Sequence, residues 1–198
     1  MKKKKIFSIV LLITGLLGVI MSLHYNGKEQ FLYYTQLSNF FLFIINAIYL
    51  FFLYYKKGQV PIIVKRLKYI ATCLTTITFI VVVFLLAPYY KALGWMLFHR
   101  ELIFHHTLNP LLALYIFLFI DDYKPTMKDT KLTLIPTLIY AYILILLNYF
   151  MYYKGPYPFL MVRDNPWYMS IFWAITIIGS SYIIALVLKI IKNKLKNR

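Results

Sequence analysis

Apolar residues gather into six long runs along the chain, at residues 6–23, 32–55, 69–88, 102–120, 132–153 and 168–191. Each run is about 20 residues long, the length an α-helix needs to cross the hydrocarbon core of a bilayer. Between Ile6 and Leu188 no Lys, Arg, Asp or Glu falls inside a run, and the connections carry nearly all the charge. The pattern predicts an all-α fold, a polytopic membrane protein in which residues 1–198 form one six-helix bundle. Lys2 to Lys5 ahead of the first run resemble the start of a signal peptide, but the run is long and no small-x-small cleavage site follows it. The expectation is a retained helix.

Composition narrows the class. Of 198 residues 62% are hydrophobic and 14% charged, against ~25% charged in soluble domains, which excludes a soluble globular protein. Lys and Arg total 22 against 6 acids, a net charge of +16. In a soluble domain that excess points to nucleic acid; between apolar runs it reads as a topology signal, so no nucleic-acid partner is expected. One side of the membrane holds Lys2 to Lys5, Lys56, Lys57, Lys65, Arg66, Lys68, Lys124, Lys128, Lys131, Lys189, Lys192, Lys194, Lys196 and Arg198. The other holds Lys28, Lys91, Arg100, Lys154 and Arg163. By the positive-inside rule both termini are cytoplasmic, and the expected location is a bacterial-type plasma membrane. Lys65, Arg66, Lys68 and the basic tail are expected to meet anionic lipid headgroups on the cytoplasmic side. Tyr and Trp near run ends, such as Tyr54, Tyr55, Trp167 and Tyr168, form an aromatic belt. The single cysteine, Cys73, excludes an intramolecular disulfide and a cysteine-based zinc cluster and reads as a small packing residue. Gly179, Ser180, Ser181 and Ala185 in the sixth run read as a close helix contact.

Polar groups inside the runs are few, and each needs a partner or a wet cavity. Up to Leu188, His105 and His106 are the only titratable side chains there besides Cys73 and the tyrosines. Asn109 follows at spacings of four and three, on the same helical face. At the start of the second run Thr35, Ser38 and Asn39 form an i, i+3, i+4 stripe with Gln36 beside it. Thr35 and His106 lie four or five residues from the outer end of their runs, a depth of about 6 to 8 Å, and Asn148 is near that level. The grouping predicts an outer-leaflet polar cavity between runs two, four and five, with Pro110 kinking run four and freeing a carbonyl.

A threonine hydroxyl beside an imidazole supplies a nucleophile and a general base for acyl transfer, with the amides of Asn39 or Asn109 as oxyanion donors. No carboxylate lies in a run, so a third member is missing or is an amide; the nearest acids, Glu101 and Asp164, are placed at the mouth. Adjacent His105 and His106 diverge by about 100° on a helix and do not match helical zinc spacing; Glu101 and His105 leave only a mouth-level alternative. No metal or cofactor is expected. Helix bridging by hydrogen bonds is the rival reading of Ser38, Asn39, Thr137 and Asn148. Rival functions are a small substrate-binding membrane subunit of a transporter, against which the first run counts mildly because it offers only Gly15 and Gly18 as small docking residues, and a non-catalytic structural membrane protein.

At these residues the chain resembles the androgen-induced protein family and its bacterial six-helix relatives, which include intramembrane threonine hydrolases. A second-span motif resembling Phe-Thr-x-Gln-Ser-Asn reads Tyr34-Thr35-Gln36-Leu37-Ser38-Asn39 here, with the Gln displaced by one place. A fourth-span His-x-x-x-Pro is matched by His106-Thr107-Leu108-Asn109-Pro110, and a Tyr-Pro-Phe element by Tyr157-Pro158-Phe159. The resemblance implies Thr35 as nucleophile and His106 as base in hydrolysis of a membrane lipid or fatty-acid ester. Ser38, Asn39, His105, Asn109 and Asn148 then support the oxyanion or the two catalytic groups.

Overall fold

The computed structural model describes residues 1–195 and is all helical, with no strand among the described residues. Six helices are long and apolar enough to cross a membrane: α1 Lys2–Leu32, α2 Tyr34–Tyr55, α3 Ile62–Tyr90, α4 Ile103–Ile120, α5 Met127–Tyr149 and α6 Trp167–Leu195. Six such helices fit an integral membrane protein. The basic-tail residues Lys196 and Arg198 lie outside the described residues.

Helices overrun the apolar stretches at the end where the chain starts. α3 begins at Ile62, so Lys65, Arg66 and Lys68 are helical; Lys and Arg are good helix formers and nothing in 62–69 breaks the turn. α5 begins at Met127 because Thr126 and Asp129 close a capping box, each side chain bonded to the other's backbone N–H.

α3 is the axis of the bundle. In its most apolar stretch 67% of residues are buried, against 22% in α5 and 17% in α6, whose outward faces are apolar surface of the kind lipid covers. Tyr69, Cys73 and Leu74 of α3 pack with Phe117 of α4 and Ala185 and Leu188 of α6, which places Cys73 in the packed core. Thr72, Thr75, Thr76 and Thr78 each donate to a carbonyl three or four residues back, so their buried hydroxyls are satisfied within the helix.

α1 leans closely on its neighbours. A Cβ at Gly15 would stand 3.2 Å from Phe43, and one at Gly18 3.0 Å from Phe104 and 3.1 Å from His105. Both glycines are therefore consumed by internal packing. Gly179 departs from the reading as a contact: nothing lies within 4 Å of a Cβ built there. The close approach on α6 comes from Ala185, fully buried, whose carbonyl accepts from the Tyr69 hydroxyl at 2.7 Å.

Where α3, α4 and α6 meet at the end that carries the N-terminus, the charge is paired. Asp121 accepts from Lys68 Nζ and the Tyr49 hydroxyl, both at 3.2 Å, and the Lys68 ammonium sits 3.8 Å from the Tyr49 ring centroid. Lys192, 1% exposed, donates to the carbonyls of Leu118 and Asp121. Arg66 pairs with buried Asp129, and Lys4 with Asp122. Arg66 and Lys68 thus act inside the bundle, a role beyond the headgroup contact that charge counting assigns them.

Candidate functional site

At the opposite end α4 opens with a π-helical segment, Ile103–Leu108, that carries both histidines. Pro110 has no N–H to give the His106 carbonyl, and the wider π turn precedes it. The two imidazoles diverge. His105, 1% exposed, points to α1 and its Nε2–H donates to the Gly18 carbonyl at 3.1 Å. His106 turns to the connection from α3, where Nδ1 lies 2.6 Å from the Met96 carbonyl. A carbonyl only accepts, so Nδ1 carries a proton and the neutral ring presents Nε2 as its acceptor. Thr107 donates to the next carbonyl, that of Leu97, at 2.8 Å. Together these bonds hold the short helix Leu93–Phe98 against α4.

Thr35 lies in the first turn of α2. Its carbonyl accepts from Ser38 Oγ and Asn39 Nδ2, both at 2.9 Å. Asn39 Nδ2 also donates to the His105 carbonyl at 3.0 Å, and Asn39 Oδ1 accepts from Asn109 Nδ2 at 3.2 Å. Asn39 and Asn109 therefore brace α2 against α4, and the amide hydrogens of Asn39 are spent on carbonyls rather than turned to a cavity. Asn148 is not brought to this group. Its amide donates to the Lys154 carbonyl at 3.0 Å and accepts from the Arg163 N–H at 3.2 Å, which pins the connection between α5 and α6.

Two cavities meet at Thr35. One, of about 250 Å³, is polar and is walled by Thr35, Gln36, Glu101, His106 and Tyr157 together with the 95–100 segment. The other, of about 50 Å³, is apolar and is walled by Thr35, Ile77, Val81, Tyr140, Tyr157 and Phe159 among others. Thr35, Leu86 and Tyr157 belong to both. The polar cavity thus lies between α2 and α4 under the Leu93–Phe98 helix, while α5 walls the apolar one. This differs from the expected placement between spans two, four and five, because the connection from α3 folds over the gap.

Three cavity groups escape a reading of the runs alone. Glu101, placed at the mouth by sequence, is 6% exposed; Oε1 accepts from Asn26 Nδ2 at 2.9 Å and Oε2 has no partner. Gln36 is buried with Oε1 unpartnered. Tyr157 is buried against Thr35: burial pushes its phenol up to about 12, against the opposing pull of the Thr35 side chain and the Thr35 and Tyr34 backbone. The phenol therefore holds its proton and is a donor at neutral pH. The Tyr-Pro-Phe element was the one sequence signal that marked it.

Among the described residues no three His, Cys, Asp or Glu side chains stand close enough to hold a metal ion. The arrangement offers a hydroxyl, an imidazole acceptor and a phenol donor around one polar cavity, with an apolar cavity adjoining. Comparison of the chain with family models, with curated proteins and with solved structures gave no match.

Proposed function

We propose that this chain is an intramembrane hydrolase of lipid or fatty-acid esters, with Thr35 as nucleophile and His106 as general base. The observation that supports it best is that Thr35 and His106 wall one polar cavity while Thr35 also walls the apolar one. An acyl ester straddles such a boundary, its carbonyl at Thr35 and its first carbons toward Ile77 and Val81, where a cavity of about 50 Å³ admits only the start of the chain. By the positive-inside count the cavity faces the outer leaflet.

In this reading His106 Nε2 takes the Thr35 proton as Oγ1 bonds to the acyl carbon. The Tyr157 O–H donates to the developing oxyanion. Collapse breaks the ester C–O bond, and the alkoxide leaves with the proton from His106. Water then attacks the acyl-threonine, gives one proton to His106, and releases the fatty acid as Thr35 recovers its hydrogen. Asn39 and Asn109 set the spacing of the two helices, and His105 fixes α4 on α1.

Labelling of the purified protein with a fluorophosphonate probe tests the nucleophile. Wild type is expected to label; Thr35→Ala and His106→Ala, at unchanged melting temperature, are expected to lose labelling and about 10²–10⁴-fold in ester hydrolysis. Full labelling of Thr35→Ala would rule out the assignment.

A further inference from the structure

The polar cavity holds two buried groups that the hydrolytic steps do not use. Glu101 Oε2 and Gln36 Oε1 are both buried without a partner, and both residues wall that cavity. Both atoms are acceptors. Leaving a buried acceptor unpaired is costly, most of all on a carboxylate. Asn26 Nδ2, 2.9 Å from Glu101 Oε1, also lies 3.4 Å from Ser22 Oγ, and no side chain of the wall, Arg100 included, bonds to either free atom. His106 adds a third acceptor, since the bond to Met96 leaves Nε2 as the basic nitrogen. What completes this cavity is a ligand that donates hydrogen bonds.

We infer that the polar cavity is a headgroup subsite for the alcohol half of the ester, and that this half carries hydrogen-bond donors, hydroxyl or ammonium, received by Glu101 and Gln36. The inference rests on the hydrolase reading for calling that half a leaving group. Size agrees: a volume of about 250 Å³ admits a glycerol or amino-alcohol unit and is not filled by a methyl. Charge sets the sense of selection. An ammonium meets a carboxylate it can pair with and a polyol meets two acceptors, whereas at Glu101 and Gln36 a headgroup carboxylate meets an anion and an amide oxygen, with Arg100 on the same wall as its one cationic partner. The substrate class is thus acyl esters of polyols or amino alcohols.

Binding of non-hydrolysable ethers tests this without requiring turnover. Full-length protein in detergent is titrated with 1-O-hexadecylglycerol, 2-(hexadecyloxy)ethylamine, hexadecyl methyl ether and an ether of the same chain ending in a carboxylate, and thermal stabilisation is followed. One or both donor-bearing ethers are expected to bind about tenfold tighter than the methyl ether, the fold-change that one charge-assisted hydrogen bond supplies. A preference for the ammonium over the glycerol ether assigns the larger share to Glu101, the reverse to Gln36. Glu101→Gln is expected to erase the ammonium preference, and Gln36→Leu, of similar volume, to weaken the glycerol ether. Equal binding of the methyl ether, or preference for the carboxylate, overturns the inference. Because the ethers have no scissile carbonyl, their binding reads the subsite without turnover. Loss of the hydrolase reading with this pattern intact leaves the subsite standing, and the converse leaves the nucleophile standing.

Discussion

The two ends of the bundle treat buried carboxylates in opposite ways. Where the chain starts, Asp121 is met by Lys68 and Tyr49, Asp129 by Arg66 and Tyr123, and Lys192 by two carbonyls. At the other end, Glu101 keeps one oxygen and Gln36 its carbonyl unpaired, and both wall a cavity. Both ends hold carboxylates removed from water, so burial alone does not mark a site. A satisfied network is inert and fixes packing; unsatisfied groups around a cavity are what a ligand completes. The difference separates the residues that hold the helices together from those available for chemistry.

The largest effect expected from breaking this contrast lies at the paired end. Asp121→Leu strands the Lys68 ammonium, whose side chain is 4% exposed, and is expected to cost about 3–5 kcal/mol. Removing both charges as Lys68→Met with Asp121→Leu should restore most of that loss, because no charge is then left buried. Unfolding of the purified protein in detergent measures both. A single Asp121→Leu variant as stable as wild type would show that the network does not fix packing.

How much of this was legible in the sequence follows from what each signal encodes. The bilayer imposes a length, so six spans stand out without any contact being known. Depth along a helix is also linear in sequence, and it put Thr35 and His106 at one level, where they share a cavity. Direction around the helix axis is not encoded that way. Asn148 sits near the right depth but turns to the α5–α6 connection. Glu101 reads as a mouth residue because it stands one position outside the fourth run, in a connection whose fold-back the sequence does not mark. Its fold-back uses left-handed backbone at Lys91 (φ 52°) and Arg100 (φ 48°), residue types that carry no signal for that conformation, unlike glycine. Lys68 was hidden for another reason. Its partner Asp121 is 53 residues away, and the apolar run begins one position after it.

A smaller effect sharpens the role of the cavity end. Tyr157→Phe keeps the ring that stacks on Phe159 at 5.2 Å between centroids but removes the donor beside Thr35. In the proposed reaction it should lower kcat about 10²-fold with KM nearly unchanged, while neutral-pH stability changes little. The proton also leaves a signature at high pH. Burial raises the folded phenol to about 12, above the ordinary unfolded value of about 10, so the folded state binds more protons between these values. Its stabilising contribution is complete below about pH 10 and is lost as pH rises toward 12. The stability of wild type should therefore fall more steeply than that of Tyr157→Phe across that window. Parallel curves would remove Tyr157 as a buried donor.

The smallest pair of effects asks whether the close contact behind His105 is needed to hold the site. Gly18→Ala places a methyl 3.0 Å from Phe104 Cβ and 3.1 Å from His105 Cε1, so α1 and α4 must separate slightly. The expected cost is about 1–3 kcal/mol, as for other overpacked interiors. Because the His105 carbonyl is held by Asn39, the shift also reaches the brace that spaces Thr35 from α4, and ester hydrolysis should fall with stability. Gly179→Ala is the control. It meets nothing within 4 Å and replaces a poor helix former in α6, so it should gain about 0.5–1 kcal/mol without touching hydrolysis. Melting temperature and hydrolysis rate, read on both variants, separate the cases. Matched behaviour of the two glycines would mean that the α1–α4 contact carries no information to the cavity, and that His105 only bridges helices.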